Sequence, residues 1–279
     1  LQIPTILFSI WYEHQWLKNM QKKHAFDFII SDNRYGLYNA QCKNFIITHQ
    51  LTIQMPFNWL EIFIQKIHYF YIQKFNVCLI PDCENIFNNL AGKLSHPHFL
   101  PKIETKYINI LTRFCLPKIL PIIKYDYCFL LSGTEPQRTI LENIIFNQIK
   151  DSNKKIVFIR GVTNNSSLQF KSNTIAVFNF LDSNALLNII LQSNFIIARS
   201  GYTTVMELAA LQKKVLYIPT PQQTEQLYLA SYLQNNNLGV SLNQHAFNFK
   251  IAQNKLHSFS PNFNKIKTLQ EIDLLPLLK

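Results

Sequence analysis

Phe195-Ile196-Ile197-Ala198-Arg199-Ser200-Gly201-Tyr202-Thr203-Thr204-Val205-Met206-Glu207-Leu208-Ala209-Ala210 reads as a buried strand, a tight turn and a helix. Phe195 to Ala198 is a short apolar run, of the kind covered on both faces in a parallel sheet. Ser200-Gly201 breaks it, with the glycine free to take φ > 0 or to let another group approach the backbone. From Tyr202 to Leu211, apolar residues recur at helical spacing (Val205, Leu208, Ala209), and Ser200 and Thr203 are the candidate N-caps. A helix that starts just past the C-terminal end of a parallel strand turns unpaired N–H groups and a positive dipole end into the crevice. That is where α/β folds bind phosphates. Arg199 would add a full positive charge, and Glu207, further along the helix, offers acceptors to a ribose. Taken alone, the pattern equally fits an ordinary strand–helix corner with a solvated Arg and Glu.

The next segment narrows the choice. Lys213 to Pro219 is a second strand, and Thr220-Pro221-Gln222-Gln223-Thr224-Glu225-Gln226 is a polar loop that runs into a helix from Glu225 to Leu233. Two consecutive strands therefore deliver polar loops to one edge. Arg-Ser-Gly-x-x-Thr-x-x-Glu-Leu-Ala at 199–209, followed by Pro-x-Pro-x-Gln-x-Glu-Gln at 219–226, resembles the donor half of the MurG-like glycosyltransferases (family 28, GT-B fold), nearest a MurG-related bacterial group. The resemblance implies a UDP-sugar diphosphate at Ser200, Gly201, Thr203 and Thr204. It implies a ribose on Glu207 and sugar hydroxyls on Gln223, Glu225 and Gln226. Gln222 stands where this group commonly has glycine.

Composition sets bounds around that reading. The 279 residues are 48% hydrophobic, enough for one large core or two domains. Only six glycines are present, and Gly36, Gly133, Gly161 and Gly201 each follow a strand-like run. The net charge of +11 fits a solvated surface, or an anionic partner such as a nucleotide-sugar or an anionic membrane face. No nucleic-acid motif or concentrated basic run is present. Five cysteines, Cys42, Cys78, Cys83, Cys115 and Cys128, form no Cys-x-x-Cys pair and read as reduced thiols of a cytoplasmic protein. His96-Pro97-His98 lacks an evident third metal ligand and reads as a loop. No uncharged apolar run is long enough to cross a bilayer.

Along the chain, Leu1 to Ser9 reads as a strand and Ile10 to Lys23 as a helix. Phe26 to Ile30 and Asn44 to Ile47 are strands, with exit loops Ser31-Asp32-Asn33-Arg34-Tyr35-Gly36 and Thr48-His49-Gln50. These loops resemble the acceptor half of the same group, and Asp32 and His49 are the candidate general bases for an acceptor hydroxyl. The alternative is an Asp32–Arg34 pair and a structural His49. Pro56 to Val77 is a helix rich in aromatics, to be buried in the core or laid on a membrane interface with Lys66 and Lys74 reaching headgroups. Lys118 to Lys124 is the expected linker. Beyond it, Tyr127 to Leu131 is a strand, and its loop, with Ser132 and Gly133, leads to a helix from Thr139 to Ile149 and would approach the donor. Lys154–Arg160 and Thr174–Phe178 are further strands, and Asn184–Gln192 is a helix. By resemblance, Leu181 beside Phe180 offers backbone groups to the base. After Gly239 come a short strand and an Asn-rich tail, whose Leu274–Leu278 segment packs back on the first domain.

The expected fold is thus α/β of GT-B type: two Rossmann-like parallel-sheet domains facing a cleft. Residues 1–120 form an acceptor-side domain and residues 125–279 a donor domain. The implied reaction is inverting transfer of a sugar from a UDP-sugar, with UDP-N-acetylglucosamine as candidate, to a hydroxyl acceptor that is lipid- or cell-envelope-linked. Helix N-termini and Arg199 would stabilise the UDP leaving group. No Asp-x-Asp pair is placed for a divalent ion, so no metal and no cofactor are expected. The expected location is the cytoplasm, with peripheral contact at the inner face of the membrane. MurG-like enzymes carry a Gly-rich loop with a histidine after their first strand. The chain has none and starts at Leu1 rather than Met, so its first domain is expected to be N-terminally incomplete, or to have lost that loop. The alternatives are a non-catalytic or degenerate nucleotide-sugar-binding protein and a UDP-sugar 2-epimerase.

Overall fold

The computed structural model describes residues 3–54, 57–114, 116–163 and 172–263. The chain divides into two compact units, one running to Leu111 and the other starting at Thr112.

The first unit is built on a four-stranded parallel sheet in chain order: β1 (Phe28–Asp32), β2 (Lys43–Ile47), β3 (Val77–Ile80) and β4 (Glu104–Tyr107). All four residues of β3 are buried, as expected where helices cover both faces of a central strand. Edge strand β4, Glu-Thr-Lys-Tyr, has no apolar run, so the sequence gives no sign of it. Helix α1 spans Ile3–His24, and α2 spans Asn58–Ile72.

Two expectations are corrected here. Leu1–Ser9 is not a strand, because from Ile3 onward it is the first part of α1. Short apolar runs do not distinguish the two periods. The Ser9 hydroxyl donates to the Thr5 carbonyl one turn back, 2.9 Å away. The core reading of the aromatic helix fails for one face of α2, where Trp59, Ile62, Phe63 and Phe70 are exposed and Trp59 retains 69% of its accessible surface. His68 and Ile72 face inward.

The second unit holds a six-stranded parallel sheet in the order β10-β9-β8-β5-β6-β7. Its strands are β5 (Tyr125–Leu130), β6 (Ile156–Ile159), β7 (Ile175–Phe178), β8 (Ser193–Ala198), β9 (Lys214–Tyr217) and β10 (Val240–Ser241). Its helices are α3 (Gln137–Ile149), α4 (Ser183–Leu191), α5 (Tyr202–Ala210), α6 (Thr224–Asn235) and α7 (Phe249–Ser258). Phe129, Phe158, Leu141, Ile145, Ile197 and Leu216 form the centre of its core. Helix α7, hidden in the Asn-rich stretch, adds Phe249, Ala252 and Leu256 to it. Asn248 caps α7 by accepting a hydrogen bond from the Ile251 N–H at 3.1 Å.

From β5 the chain moves outward to β6 and β7, then returns to the other side of β5 as β8. The order therefore reverses between β5 and β8, and the loops leaving these two neighbours flank a topological switch point, where open α/β sheets bind ligands. Gly161, after β6, has φ +69°, and a Cβ there would collide with the Leu131 carbonyl oxygen.

Cys78, Cys83 and Cys128 are buried, Cys42 is half-buried and all four are free; Cys115 lies outside the described residues. The Leu274–Leu278 segment also lies outside them. The His96 loop is tied internally. Its ring stacks on Tyr107 and lies 2.8 Å from the Ser95 hydroxyl. That hydroxyl donates at 2.6 Å to buried Asp82, which also accepts the N–H groups of Cys83, Leu90 and Ala91.

Candidate functional site

The stretch after β8 forms the centre of the candidate site. Ala198 ends the strand beside Leu130 of β5, and α5 begins after Gly201. Neither Ser200 nor Thr203 caps the helix. Gly201 stands at the N-cap and no side chain closes that end. The Ser200 hydroxyl instead donates to the Gln226 carbonyl at 2.8 Å, tying the β8 loop to α6. Gly201 has φ −69°, so left-handed backbone is not its purpose. Around the position of its missing Cβ the nearest atom is the Gln226 side-chain nitrogen, at 4.0 Å. The glycine leaves room beside the open end of the helix. Thr203 is exposed and Thr204 half-buried on the first turn.

Arg199 departs from expectation. It is fully buried. Nη1 donates to the carbonyls of Ile218 and Pro219 at 3.1 and 3.2 Å, and Nη2 to the Gln137 carbonyl and to Gln244 Oε1 at 3.0 and 2.7 Å. It holds three loops together and does not reach into the open space over Gly201. Burial pushes its guanidinium down to about 10, still charged at neutral pH. That charge lies beneath the loop that leads to α5, favouring an anion there without touching it.

Glu207 lies about 9 Å along the axis from the N-cap at 1.5 Å per residue. Its carboxylate is buried, at 7% exposure, and accepts Arg113 Nε at 2.7 Å. Burial pushes its carboxyl above the usual carboxylate range, and the Arg113 guanidinium opposes that shift. Arg113 Nη1 also donates to Ser183 Oγ at 3.1 Å, at the start of α4. Leu181 is half-buried just before that helix, whose N-terminus Asp182 caps by accepting from Asn184 and Ala185.

At the start of α6, Gln226 is buried and its Oε1 accepts the Thr220 N–H at 2.9 Å, which leaves its side-chain nitrogen facing Gly201. Gln223 is exposed at the N-cap and Glu225 half-buried in the first turn. Gln222 has φ +67°, the conformation that glycine takes without strain. On the other side of the switch point, Ser132 and Gly133 are exposed after β5. Gly133 has φ +109° and nothing within 4 Å of its missing Cβ. Behind them, Arg138 and Arg160 grip the buried carboxylate of Glu142 at 2.5 and 2.8 Å.

The second unit thus brings the loops of Ser132, Ser200 and Gln223 to one sheet edge. Asp32 and His49 belong to the first unit. Asp32 ends β1 and is exposed. His49 is half-buried just after β2, on the neighbouring strand. Arg34 pairs with Glu13 at 2.6 Å rather than with Asp32. The Thr48 hydroxyl donates to Asn33 Oδ1 at 3.0 Å and links the two exit loops. A hollow of about 390 Å³ opens here, lined by Ile6, Ile10, Glu13, Asn33, Arg34 and Tyr35 among others. Sequence reasoning missed Arg113, Ser183, Gln137 and Gln244. Arg113 meets Glu207 across 94 positions, a separation with no local signal.

Residues 127–271, more than half of the chain, match the glycosyltransferase family 28 C-terminal domain. No match was found among curated proteins. Among solved structures, the calicheamicin glycosyltransferase CalG4 is similar with a TM-score of 0.62 at 8% identity, over 96% of this chain and 77% of that one. The glycotransferase of kitacinnamycin is similar with a TM-score of 0.62 at 10% identity, over 92% and 73%. MurG of Acinetobacter baumannii gives 0.52 at 13% identity, over 95% and 72%. At such identities the likeness is one of fold: mixed α/β with parallel sheets, as in GT-B glycosyltransferases.

Proposed function

The chain belongs to glycosyltransferase family 28 and is a glycosyltransferase, and we propose that it draws its sugar from a UDP-sugar held by the second unit. The observation that carries this reading is the pairing of an open helix end with a buried carboxylate on α5. A diphosphate at the N-terminus of α5 meets backbone N–H groups, the helix dipole and the nearby charge of Arg199. The attached ribose then falls over Glu207, whose carboxylate accepts from two hydroxyls. The Ser132–Gly133 loop faces the same phosphates, Gln223, Glu225 and Gln226 take the sugar hydroxyls, and the backbone at Leu181 takes the base. UDP-N-acetylglucosamine is the candidate donor.

The acceptor is a hydroxyl compound placed at the edge of the first unit's sheet, where the hollow by Arg34 mixes apolar Ile6 and Ile10 with polar Ser9, Glu13 and Asn33. The acceptor oxygen bonds to the anomeric carbon while the bond from that carbon to the β-phosphate oxygen breaks, its electron pair leaving with UDP. The proton passes to Asp32 or His49. The configuration inverts. Among the described residues, no group of three or more His, Cys, Asp or Glu side chains is placed to hold a metal ion. The exposed aromatic face of α2, with Lys66 and Lys74, supports a lipid-linked acceptor met at an anionic membrane surface. No helix among the described residues is long and apolar enough to cross a membrane. Co-sedimentation with anionic vesicles, lost in Trp59→Ser/Phe63→Ser, tests that part separately.

Calorimetric titration with UDP and UDP-N-acetylglucosamine, with ADP as control and Glu207→Ala alongside, tests the donor site. Binding of uridine nucleotides that ADP does not match and that Glu207→Ala weakens at least about tenfold supports it. A chain that binds no nucleotide overturns it and favours a degenerate protein. UDP-sugar turnover without any acceptor favours the epimerase.

A further inference from the structure

Arg113 opens the second unit, a dozen residues ahead of β5, yet its guanidinium lies against the far end of α5. Its Nε donates to Glu207 Oε1 at 2.7 Å and its Nη1 to Ser183 Oγ at 3.1 Å. The guanidinium carbon is 4.8 Å from the centre of the Phe114 ring, and the Phe114 N–H donates to Thr112 Oγ1 at 3.0 Å, fixing the local turn. The two ends of the ion pair differ: Glu207 is buried, whereas the Arg113 side chain keeps 52% of its exposure. A partner that is half in solvent can leave, but a buried carboxylate cannot. Left without a donor, Glu207 would be an unpaired buried charge.

The two groups that Arg113 spans are also those at the nucleoside end of the donor site: Glu207 on α5 and Ser183 beside Leu181. A ribose offers Glu207 two O–H donors, and the guanidinium offers N–H donors in the same place. We propose that Arg113 is a self-ligand, a latch that occupies Glu207 in the empty protein and that the incoming nucleoside must displace. This rests on the reading that Glu207 takes the ribose. The latch keeps the carboxylate ionised and oriented before the donor arrives. It also lowers the apparent affinity by the fraction of molecules in which it is closed. On donor binding, the Thr112–Phe114 segment is released from α5.

The test combines two readouts, calorimetry with UDP (ADP as control) and the Arg113 Nε–H resonance in the unmodified protein. Arg113→Lys identifies that signal by its absence. The latch predicts that Arg113→Ala binds UDP about fivefold or more tightly than the unmodified chain, although it has lost a cation. It also predicts that the Nε–H, protected from exchange in the free protein, loses protection when UDP saturates the site. Equal or weaker UDP binding by a folded Arg113→Ala overturns the latch and leaves the donor site standing. Undiminished Nε–H protection at saturation overturns it as well, and needs no variant that might be unstable. UDP binding by neither the unmodified nor the Arg113→Ala chain overturns the donor reading itself, and the latch with it.

Discussion

At the C-terminal edge of the second sheet three arginines are buried, and their partners decide what each can do. Arg138 and Arg160 close on Glu142, and Arg138 also on Glu135 at 2.6 Å. Each charge there has an opposite charge in contact. Glu142→Gln would set the buried Arg160 guanidinium against a neutral amide and leave Arg138 with the exposed Glu135 as its carboxylate. The chain should then lose about 3–5 kcal/mol, read as a lower urea midpoint at an unchanged slope; a loss below about 1 kcal/mol would mean that water reaches the cluster. Arg199 has carbonyls and an amide as its partners and keeps its charge uncompensated near α5. The motif singles out Arg199 but cannot say which way its side chain turns, since burial is set by Ile218, Pro219, Gln137 and Gln244 from three other segments. Gln222 is the opposite case. Its identity departs from the resembling group, while its φ of +67° keeps the conformation that glycine would adopt there. Relief of the Cβ clash offsets the added chain entropy in Gln222→Gly, so that variant should match or exceed the parent's stability. Gln222→Val should lose about 1–2 kcal/mol. Thermal melts of the pair check this, and equal melting points would exclude strain at the loop.

At the scale of elements, legibility followed apolar pattern. Strands β2, β5, β6, β8 and β9 carry short apolar runs such as Phe45-Ile46-Ile47 and Ile156-Val157-Phe158-Ile159, and they stand out because both faces of those runs are covered. Strand β4 is polar and could form only because β3 lies beside it. Helix α7 carries Phe249, Ala252 and Leu256 at helical spacing, but Asn, Gln and Lys between them obscure it. Helix α1 extends across an apolar segment whose period is ambiguous by itself. Helix α2 shows what pattern leaves out: Trp59, Phe63 and Phe70 point outward and a histidine points inward. His68 is buried with Nδ1 2.8 Å from the Tyr35 hydroxyl, and burial pushes its imidazole down to about 4. Because the folded value lies below the ordinary 6.5, the unfolded chain binds the extra proton between the two. Stability is therefore intact above pH 6.5 and falls as pH drops toward 4, by about 3 kcal/mol in total from this group. His68→Gln should flatten that part of the stability–pH profile. A variant with the parent's slope between pH 6.5 and 4 would place the acid sensitivity elsewhere.

For the whole molecule, the arrangement of strands carries more than their identity. Alternating strands and helices announce a parallel sheet, but only the observed order β10-β9-β8-β5-β6-β7 places the loop of Ser132 beside the loop of Ser200 at a switch point. No sequence spacing encodes that neighbourhood, which is why the Ser200–Glu207 stretch was legible and its link to Arg113 was not. The described core clusters also keep to one unit each. Phe45, Val77 and Leu79 pack within the first, and Phe129, Phe158 and Phe249 within the second. A domain of about 150 residues buries close to 70% of its unfolded surface, enough to fold without help. A fragment of residues 112–266, the second unit, should therefore unfold in a single cooperative transition and bind UDP within about threefold of the full chain. It retains Ser132, Ser200, Gly201, Glu207, Gln226 and Arg113 together, and a threefold change is under 1 kcal/mol. It should transfer no sugar, since Asp32 and His49 are absent. If the fragment folds but does not bind UDP, the donor site needs residues of the first unit. If it fails to fold, the second core depends on the first.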